Sequence, residues 1–126
     1  MSKNRGPGYK ENPEHRIALA REAGRVRVVA SGETIADSGE AITLHEAAYP
    51  PVHYIPRKHV RMDALVCTDH HTYCPYKGEA SYFNICLGGN TIENAVWSYE
   101  HPFDEVKQIG GYLAFYPRKV DRIEVD

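Results

Sequence analysis

The chain has 126 residues, of which 42% are hydrophobic and 25% are charged. That length supports one domain with its own core, and the composition excludes a disordered, collagen-like or coiled-coil protein. Fifteen Lys and Arg against 17 Asp and Glu give a net charge of -2, so we expect neither nucleic acid nor a membrane as a partner.

The first 14 residues are polar and include two prolines and two glycines. We interpret residues 1–14 as a polar N-terminal extension and residues 15–126 as a single β domain. No apolar segment follows a charged start, and no later stretch reaches the roughly 18 apolar residues of a membrane helix. We therefore expect a cytoplasmic protein whose three cysteines, which form no CxxC pair, stay reduced.

Short runs with a period of two, broken by turn residues, recur along the chain and predict an all-β domain. Residues 13–23 fit either a helix or a short strand, and the alternation of Ile17 and Leu19 favours the strand. Residues 25–37 predict a hairpin, and residues 57–65 a single helical turn. We expect a mostly β, antiparallel domain with little helix.

Three strand-like runs in the C-terminal half, residues 81–87, 95–99 and 112–116, have two chemically different faces. One face of each run is aliphatic or phenyl, and we assign it to the core. The opposite faces carry Tyr82, Trp97, Tyr99, Tyr112 and Tyr116. If the runs are neighbours in one sheet, these rings form an aromatic surface that could line a small-molecule pocket. The alternative is that the tyrosines close the edge of a core, with their hydroxyl groups in water.

Residues 69–80 hold the densest collection of reactive side chains, and their proline and glycine predict a loop or tight turn. Cys74 could act as a nucleophile there if a neighbouring histidine or Lys77 held it as the thiolate. The alternative for Cys74 is a small buried apolar side chain. Lys77 could instead bind an anion or be solvated, although the segment lacks the phosphate-binding pattern GxxxxGK[ST].

Metal-binding spacings are absent from the sequence, although it contains seven histidines. Neither C-x2-C nor H-x3-H occurs, and the adjacent His70 and His71 would diverge on a strand. The GxSxG pattern of serine hydrolases is also absent. We predict no metal site and no cofactor.

Three motifs carry a resemblance to a known family. They are Thr72-x-Cys74-Pro75-Tyr76-Lys77-Gly78-x-Ala80-Ser81-Tyr82, then Ala95-x-Trp97-Ser98-Tyr99 with Pro102, then Ile109-x-Gly111-Tyr112-x-Ala114-Phe115-Tyr116. With these motifs the chain resembles domain of unknown function 427, a bacterial and fungal family that also carries a nucleotidyltransferase-like label. The resemblance extends from about Arg25 to Asp121.

The resemblance implies a small antiparallel domain similar to the β-tent architecture, in which two sheets lean together and a pocket opens between them. B-type methionine-sulfoxide reductases and the cyclic-imide-binding domain of cereblon are relatives with that architecture. Many β-tent proteins hold zinc through two CxxC pairs, which this sequence lacks. No phosphate loop or pair of metal-binding carboxylates supports the nucleotidyltransferase label.

Three functional hypotheses remain open. The first is a small-molecule-binding domain with an aromatic pocket, whose ligand is a nucleoside-like or cyclic amide compound. Its ligand-binding residues would be Thr72, Tyr76, Lys77, Tyr82, Asn84, Trp97, Tyr99 and Tyr112. The second is a metal-free enzyme with Cys74 as the nucleophile and Lys77 or a histidine as its partner, and the third is a domain whose aromatic face meets another protein. An exposed edge at residues 50–56 is compatible with either a monomer or a homodimer.

Overall fold

A computed structural model of the chain describes residues 4–126. Its ten strands are β1 (Ile17–Arg21), β2 (Val26–Ala30), β3 (Glu33–Ser38), β4 (Ile42–Glu46), β5 (Val52–Tyr54), β6 (Leu65–Cys74), β7 (Gly78–Leu87), β8 (Asn90–Ser98), β9 (Ala114–Phe115) and β10 (Arg122–Val125). Helical structure in the described residues comprises an α-helical turn at Gly8–Glu11 and 3-10 segments at Arg57–His59, Met62–Ala64 and Asp104–Ile109. Within residues 4–126, no helix has the length and apolar character needed to span a membrane.

The strands form three antiparallel sheets, so the prediction of a mostly β, antiparallel domain with little helix is confirmed. The strand orders are β1-β4-β5, β10-β2-β3 and β6-β7-β8-β9. The resemblance implied two sheets. A third arises because β4 pairs with β1 and β5 instead of extending the β2–β3 hairpin.

Several local predictions are confirmed. Strand β1 occupies the segment that fitted either a helix or a strand, and β2 and β3 form the predicted hairpin with a turn at Ser31 and Gly32. Helical conformation occurs within residues 57–65, as two 3-10 turns where one turn was expected. The third C-terminal run is shorter than expected, because only Ala114 and Phe115 of residues 112–116 are in a strand.

The prediction of a loop over residues 69–80 is wrong for most of that segment. Strand β6 continues to Cys74, and β7 begins at Gly78, so only three residues form the turn between them. A bulge interrupts the alternation along β6, because the three residues Thr68 to His70 together oppose Tyr82. Because β6 is an edge strand, its polar side chains are mostly exposed and gave no hydrophobic pattern.

Beyond its edge strand β6, the four-stranded sheet is covered on both faces, which corrects the assignment of its tyrosine face to the outside. One face packs with the β10-β2-β3 sheet through Phe83, Ile85 and Val96. The other face packs with the β1-β4-β5 sheet, and there Tyr82 and Tyr99 are each only 6% exposed. The alternation therefore separates the two faces correctly, but both of them belong to the core.

Candidate functional site

The eight side chains predicted to bind a ligand do not form one cluster. Thr72, Tyr82 and Trp97 gather around Tyr116 on the four-stranded sheet. Tyr76 and Lys77 lie at the turn after β6, where Tyr76 contacts the N-terminal segment and Lys77 contacts Glu46. The remaining three, Asn84, Tyr99 and Tyr112, occupy separate positions that are described below.

The hydroxyl group of Tyr82 is the centre of the first group. It lies 2.8 Å from Thr72 Oγ1 and accepts a hydrogen bond of 3.4 Å from the hydroxyl of Tyr116. The ring of His70 packs edge-on against Tyr82, with 4.5 Å between the ring centroids. Burial raises the pKa of Tyr116, and its hydrogen bond to Tyr82 raises that pKa further. At neutral pH the hydroxyl group of Tyr116 is therefore protonated and serves as a hydrogen-bond donor.

Two bulges that face each other across β7 bring this group together. Thr68 to His70 of β6 oppose Tyr82, and three residues of β8, centred on Asn94, oppose Asn84. Thr68 Oγ1 donates to Asn94 Oδ1 at 2.8 Å, and the backbone N–H of Asn94 donates to Asn84 Oδ1 at 2.8 Å. The bond between Thr68 and Asn94 joins the two bulges, and Asn84, which we predicted to contact a ligand, is engaged with the backbone of the β8 bulge.

Sequence reasoning missed Thr68 and Asn94. Asn94 has a backbone φ of 48°, a conformation that asparagine adopts more readily than most residues. Asn94 directly precedes the predicted run 95–99, and an asparagine at that place was the available signal of the bulge. Thr68 gave no comparable signal.

Trp97 lines a cleft of about 380 Å³ between β5 and β10. Most of its walls are apolar and come from Val26 and Val28 of β2, Val52 of β5, and Phe115. Its polar side chains include His53 of β5 and Arg122 of β10. This volume and this lining are typical of small-molecule pockets. None of the other seven predicted ligand-binding residues lines the cleft.

Two aromatic neighbours fix the orientation of the Trp97 ring. Its Nε1–H donates to the hydroxyl group of Tyr54 at 3.3 Å, and the two rings meet edge to face. The ring of Tyr116 packs against Trp97 with 4.4 Å between centroids. Tyr54 is 1% exposed, and burial raises its pKa, so its hydroxyl remains protonated. Trp97 itself is half-buried, which leaves part of its ring accessible from the cleft.

Lys77 belongs to a half-buried ion cluster. Its Nζ lies 2.6 Å from Glu46 Oε1, and His15 Nε2 lies 2.7 Å from Glu46 Oε2. Burial alone would raise the pKa of Glu46, but the hydrogen bonds from Lys77 and His15 outweigh burial and lower it. Tyr76 stacks on the His15 ring with 3.8 Å between centroids, and Tyr9 packs edge-on against Tyr76. Burial and nearby carboxylates raise the pKa of Tyr9 to about 12.

We predicted residues 1–14 as a polar extension, and residues 1–3 of that segment lie outside the part of the chain that the structure describes. The described part of the segment contacts the domain. The N–H of Gly8 donates to the carbonyl of Pro75, and the N–H of Gly6 donates to a carboxylate oxygen of Glu105. A Cβ atom on Gly8 would lie 2.7 Å from the Tyr76 ring, so only glycine fits this approach without movement. The segment therefore covers the turn that follows β6.

Cys74 is half-buried and packs with the second core cluster. Within residues 4–126, no hydrogen bond joins its thiol to a histidine or to Lys77, and Lys77 is paired with Glu46. Of the two candidate histidines, His70 packs on Tyr82, and His71 Nδ1 lies 3.9 Å from Glu79 Oε1. The nucleophilic role of Cys74 stays a prediction. No group of three or more metal-binding side chains within the described residues could hold a metal ion.

Tyr99 and Tyr112 are separated from the cleft. Tyr99 is buried beside Tyr54, with 6.5 Å between ring centroids, and burial raises its pKa. Tyr112 lines a different depression of about 430 Å³ that also carries the charged Arg21 and Glu40. That depression lacks the mostly apolar lining of the cleft at Trp97.

Sequence comparison covers almost the whole of this structure. The profile of the family described as "Domain of unknown function (DUF427)" matches residues 18–126. A comparison with curated proteins finds no match. The matched region contains all ten strands except the first residue of β1, and it includes the cleft and the side chains around Tyr82. The N-terminal segment lies outside it. The chain belongs to the DUF427 family, as its three motifs predicted.

Proposed function

We propose that this domain binds a small ring-containing molecule in the cleft between β5 and β10, with Trp97 as one wall. The observation that carries the proposal is the position of Trp97. Alternation assigned its ring to the face opposite Val96, and the ring lines a mostly apolar cleft of ligand size. Val96 is fully buried on the other face of the sheet, where it fills the core.

The chemistry of the cleft favours a flat, mostly apolar ligand. An aromatic ring that covers about 150 Å² of apolar surface gains about 4 kcal/mol from its removal from water. The loss of translational and rotational freedom on binding offsets part of that gain. We therefore expect simple fragments to bind with dissociation constants of about 0.1 to 10 mM. A natural ligand would bind more tightly through additional polar contacts.

The two other hypotheses have less support. An enzyme with Cys74 as nucleophile needs a basic partner for the thiol, and Lys77 is held by Glu46. A protein-binding aromatic face needs exposed rings, whereas Tyr82 and Tyr99 are buried. Ligand binding in the cleft at Trp97 requires neither a basic partner for Cys74 nor exposed tyrosine rings.

The experiment compares Trp97→Ala with Val96→Ala. Wild type and both variants are screened by thermal shift and by ¹H–¹⁵N NMR against nucleosides, cyclic amides and aromatic heterocycles. We expect Trp97→Ala to lose about 2 to 3 kcal/mol of stability, less than the 3 to 5 kcal/mol typical of a fully buried tryptophan, because part of the ring already faces the cleft. Binding should be lost in this variant.

Val96→Ala is the matched control. It should lose about 1 to 3 kcal/mol because it leaves a void in the core, yet it should keep wild-type ligand affinity. The proposal is contradicted if no compound shifts residues around the cleft in wild type. It is equally contradicted if Trp97→Ala folds and binds the same compounds with unchanged affinity.

A further inference from the structure

We propose that His53 is the polar anchor of the cleft and that it selects ligands that present an N–H or O–H group at the edge of an apolar ring. This inference rests on the proposed function, because it names the chemical class that the same cleft would take. The supporting observation is a chain of hydrogen bonds that joins Glu22, Thr43 and His53. These bonds determine which nitrogen of the imidazole ring is free.

The chain of hydrogen bonds begins at Glu22 and passes through Thr43. Thr43 Oγ1 donates to Glu22 Oε2 at 2.8 Å and lies 2.9 Å from His53 Nδ1. The hydrogen bond from Thr43 and one from the backbone N–H of Gly24 lower the pKa of Glu22, so Glu22 is a carboxylate at neutral pH and accepts only. Thr43 is 4% exposed, so water does not compete freely for its hydroxyl group.

These contacts settle the tautomer of His53. A threonine hydroxyl has one hydrogen, and here it is given to Glu22. Thr43 can therefore meet His53 Nδ1 only as an acceptor, which requires the hydrogen of a neutral imidazole to sit on Nδ1. Nε2 then carries a lone pair. Because Thr43 takes up Nδ1, Nε2 is the nitrogen that this contact leaves free on a residue that lines the cleft.

The surroundings keep the ring neutral. Burial lowers the pKa of His53, the nearby Glu22 raises it by less than burial lowers it, and His45 lowers it by the smallest amount. Across the cleft, Arg122 of β10 is exposed, and its Nε lies 3.6 Å from Glu124 Oε2, whose negative charge offsets that of the guanidinium. A neutral acceptor in an apolar cleft favours a neutral ligand with one hydrogen-bond donor.

The discrimination expected from such an anchor is large. A ligand without the donor would desolvate Nε2 and leave it without a partner, which is costlier than the lost hydrogen bond alone. Sites built around one hydrogen bond reject analogues that lack the matching group. We expect at least about a tenfold loss of affinity for a ring compound of the same shape without the donor.

Indole and benzofuran test this inference, because they have nearly the same shape and only indole carries an N–H donor. Both are titrated into the ¹⁵N-labelled 126-residue chain, and dissociation constants are taken from the shifts of residues that line the cleft. Histidine ¹H–¹⁵N spectra report the tautomer of His53 directly. The same titrations are repeated with His53→Phe, which removes the acceptor and keeps a flat ring, and with Thr43→Val, which removes the hydroxyl group and keeps its shape.

In wild type, indole should bind about tenfold or more tightly than benzofuran, and His53 should carry its hydrogen on Nδ1. In His53→Phe the two affinities should agree within about twofold, mainly through weaker indole binding. Thr43→Val should show a mixed tautomer and intermediate discrimination, so it provides the test if His53→Phe does not fold. Equal affinities in wild type, or full discrimination in His53→Phe, would overturn this inference and leave the proposed function standing. Absence of any saturable shift with either compound would contradict both.

Discussion

Replacing Glu46 with glutamine should destabilise the domain without affecting its cleft. The carboxylate holds His15 and Lys77 at 2.7 and 2.6 Å, and the three side chains are only 13–15% exposed. Glutamine keeps the shape and one acceptor but removes the negative charge. Lys77 would then retain a half-buried positive charge without a counter-ion, which is the costly outcome when one member of a buried pair is removed.

The size of the effect follows from this environment. Removing one partner of a fully buried pair costs about 3 to 5 kcal/mol. Because some water reaches these groups and the glutamine oxygen can still accept one hydrogen bond, we expect about 2 to 3 kcal/mol. In a domain of this size that loss lowers the melting temperature by about 6 to 15 °C.

The assay is thermal unfolding of wild type, Glu46→Gln, Lys77→Gln and the double variant, with the exposed Glu93→Gln as control. Lys77→Gln should cost clearly less in the Glu46→Gln background than in wild type, because the charge that it removes is already unpaired. Since the folded pKa of Glu46 lies below its ordinary value of 4.5, its contribution is complete above about pH 4.5 and is lost as the pH falls through the folded pKa. The difference between wild type and Glu46→Gln should therefore shrink near pH 3. Additive effects, or a melting change no larger than that of Glu93→Gln, would refute this reasoning.

Two further predictions concern other parts of the fold. Gly8→Ala should release the N-terminal segment and speed its proteolysis, because the added Cβ would lie 2.7 Å from the Tyr76 ring. Gly39→Ala is the control and should leave the proteolysis rate unchanged, because its Cβ meets only a flexible side chain at 3.5 Å. Equal cleavage rates in the two variants would contradict the close packing of Gly8 on Tyr76. The pKa of His53 is lower in the folded state than its ordinary 6.5, so its contribution to stability is complete above about pH 6.5 and is lost as the pH falls below that value. Between pH 5 and 7, the free energy of unfolding in urea should accordingly depend less steeply on pH in His53→Phe than in wild type. An identical slope in the two proteins would contradict the lowered pKa of His53.

Local patterns were sufficient to predict most strands and to separate the faces of the central sheet. The alternation of Tyr82 with Phe83, and of Trp97 with Val96, is a property of adjacent residues, and the structure keeps it. What covers each face depends on a distant part of the chain. Tyr82 is buried because the β1-β4-β5 sheet packs over it, and no local pattern reports that contact.

The candidate site was only partly predictable for the same reason. Trp97 was recognisable as the one tryptophan on a strand with a polar and aromatic face. Its cleft also needs His53 from β5 and Arg122 from β10, which lie in the two other sheets and come near Trp97 only through the packing of the sheets. The bulge of β6 also interrupts the alternation of that strand, so its sequence resembled a loop. Lys77 looked available for a ligand because its partner Glu46 lies on β4, 31 residues earlier in the chain.

The most direct test of the central claim is a crystal structure of the protein soaked with indole. The account predicts ring density in the cleft between β5 and β10, stacked on Trp97, with the ligand nitrogen about 3 Å from His53 Nε2. Indole bound at any other position, with the cleft empty at a concentration that saturates the protein in solution, would contradict it.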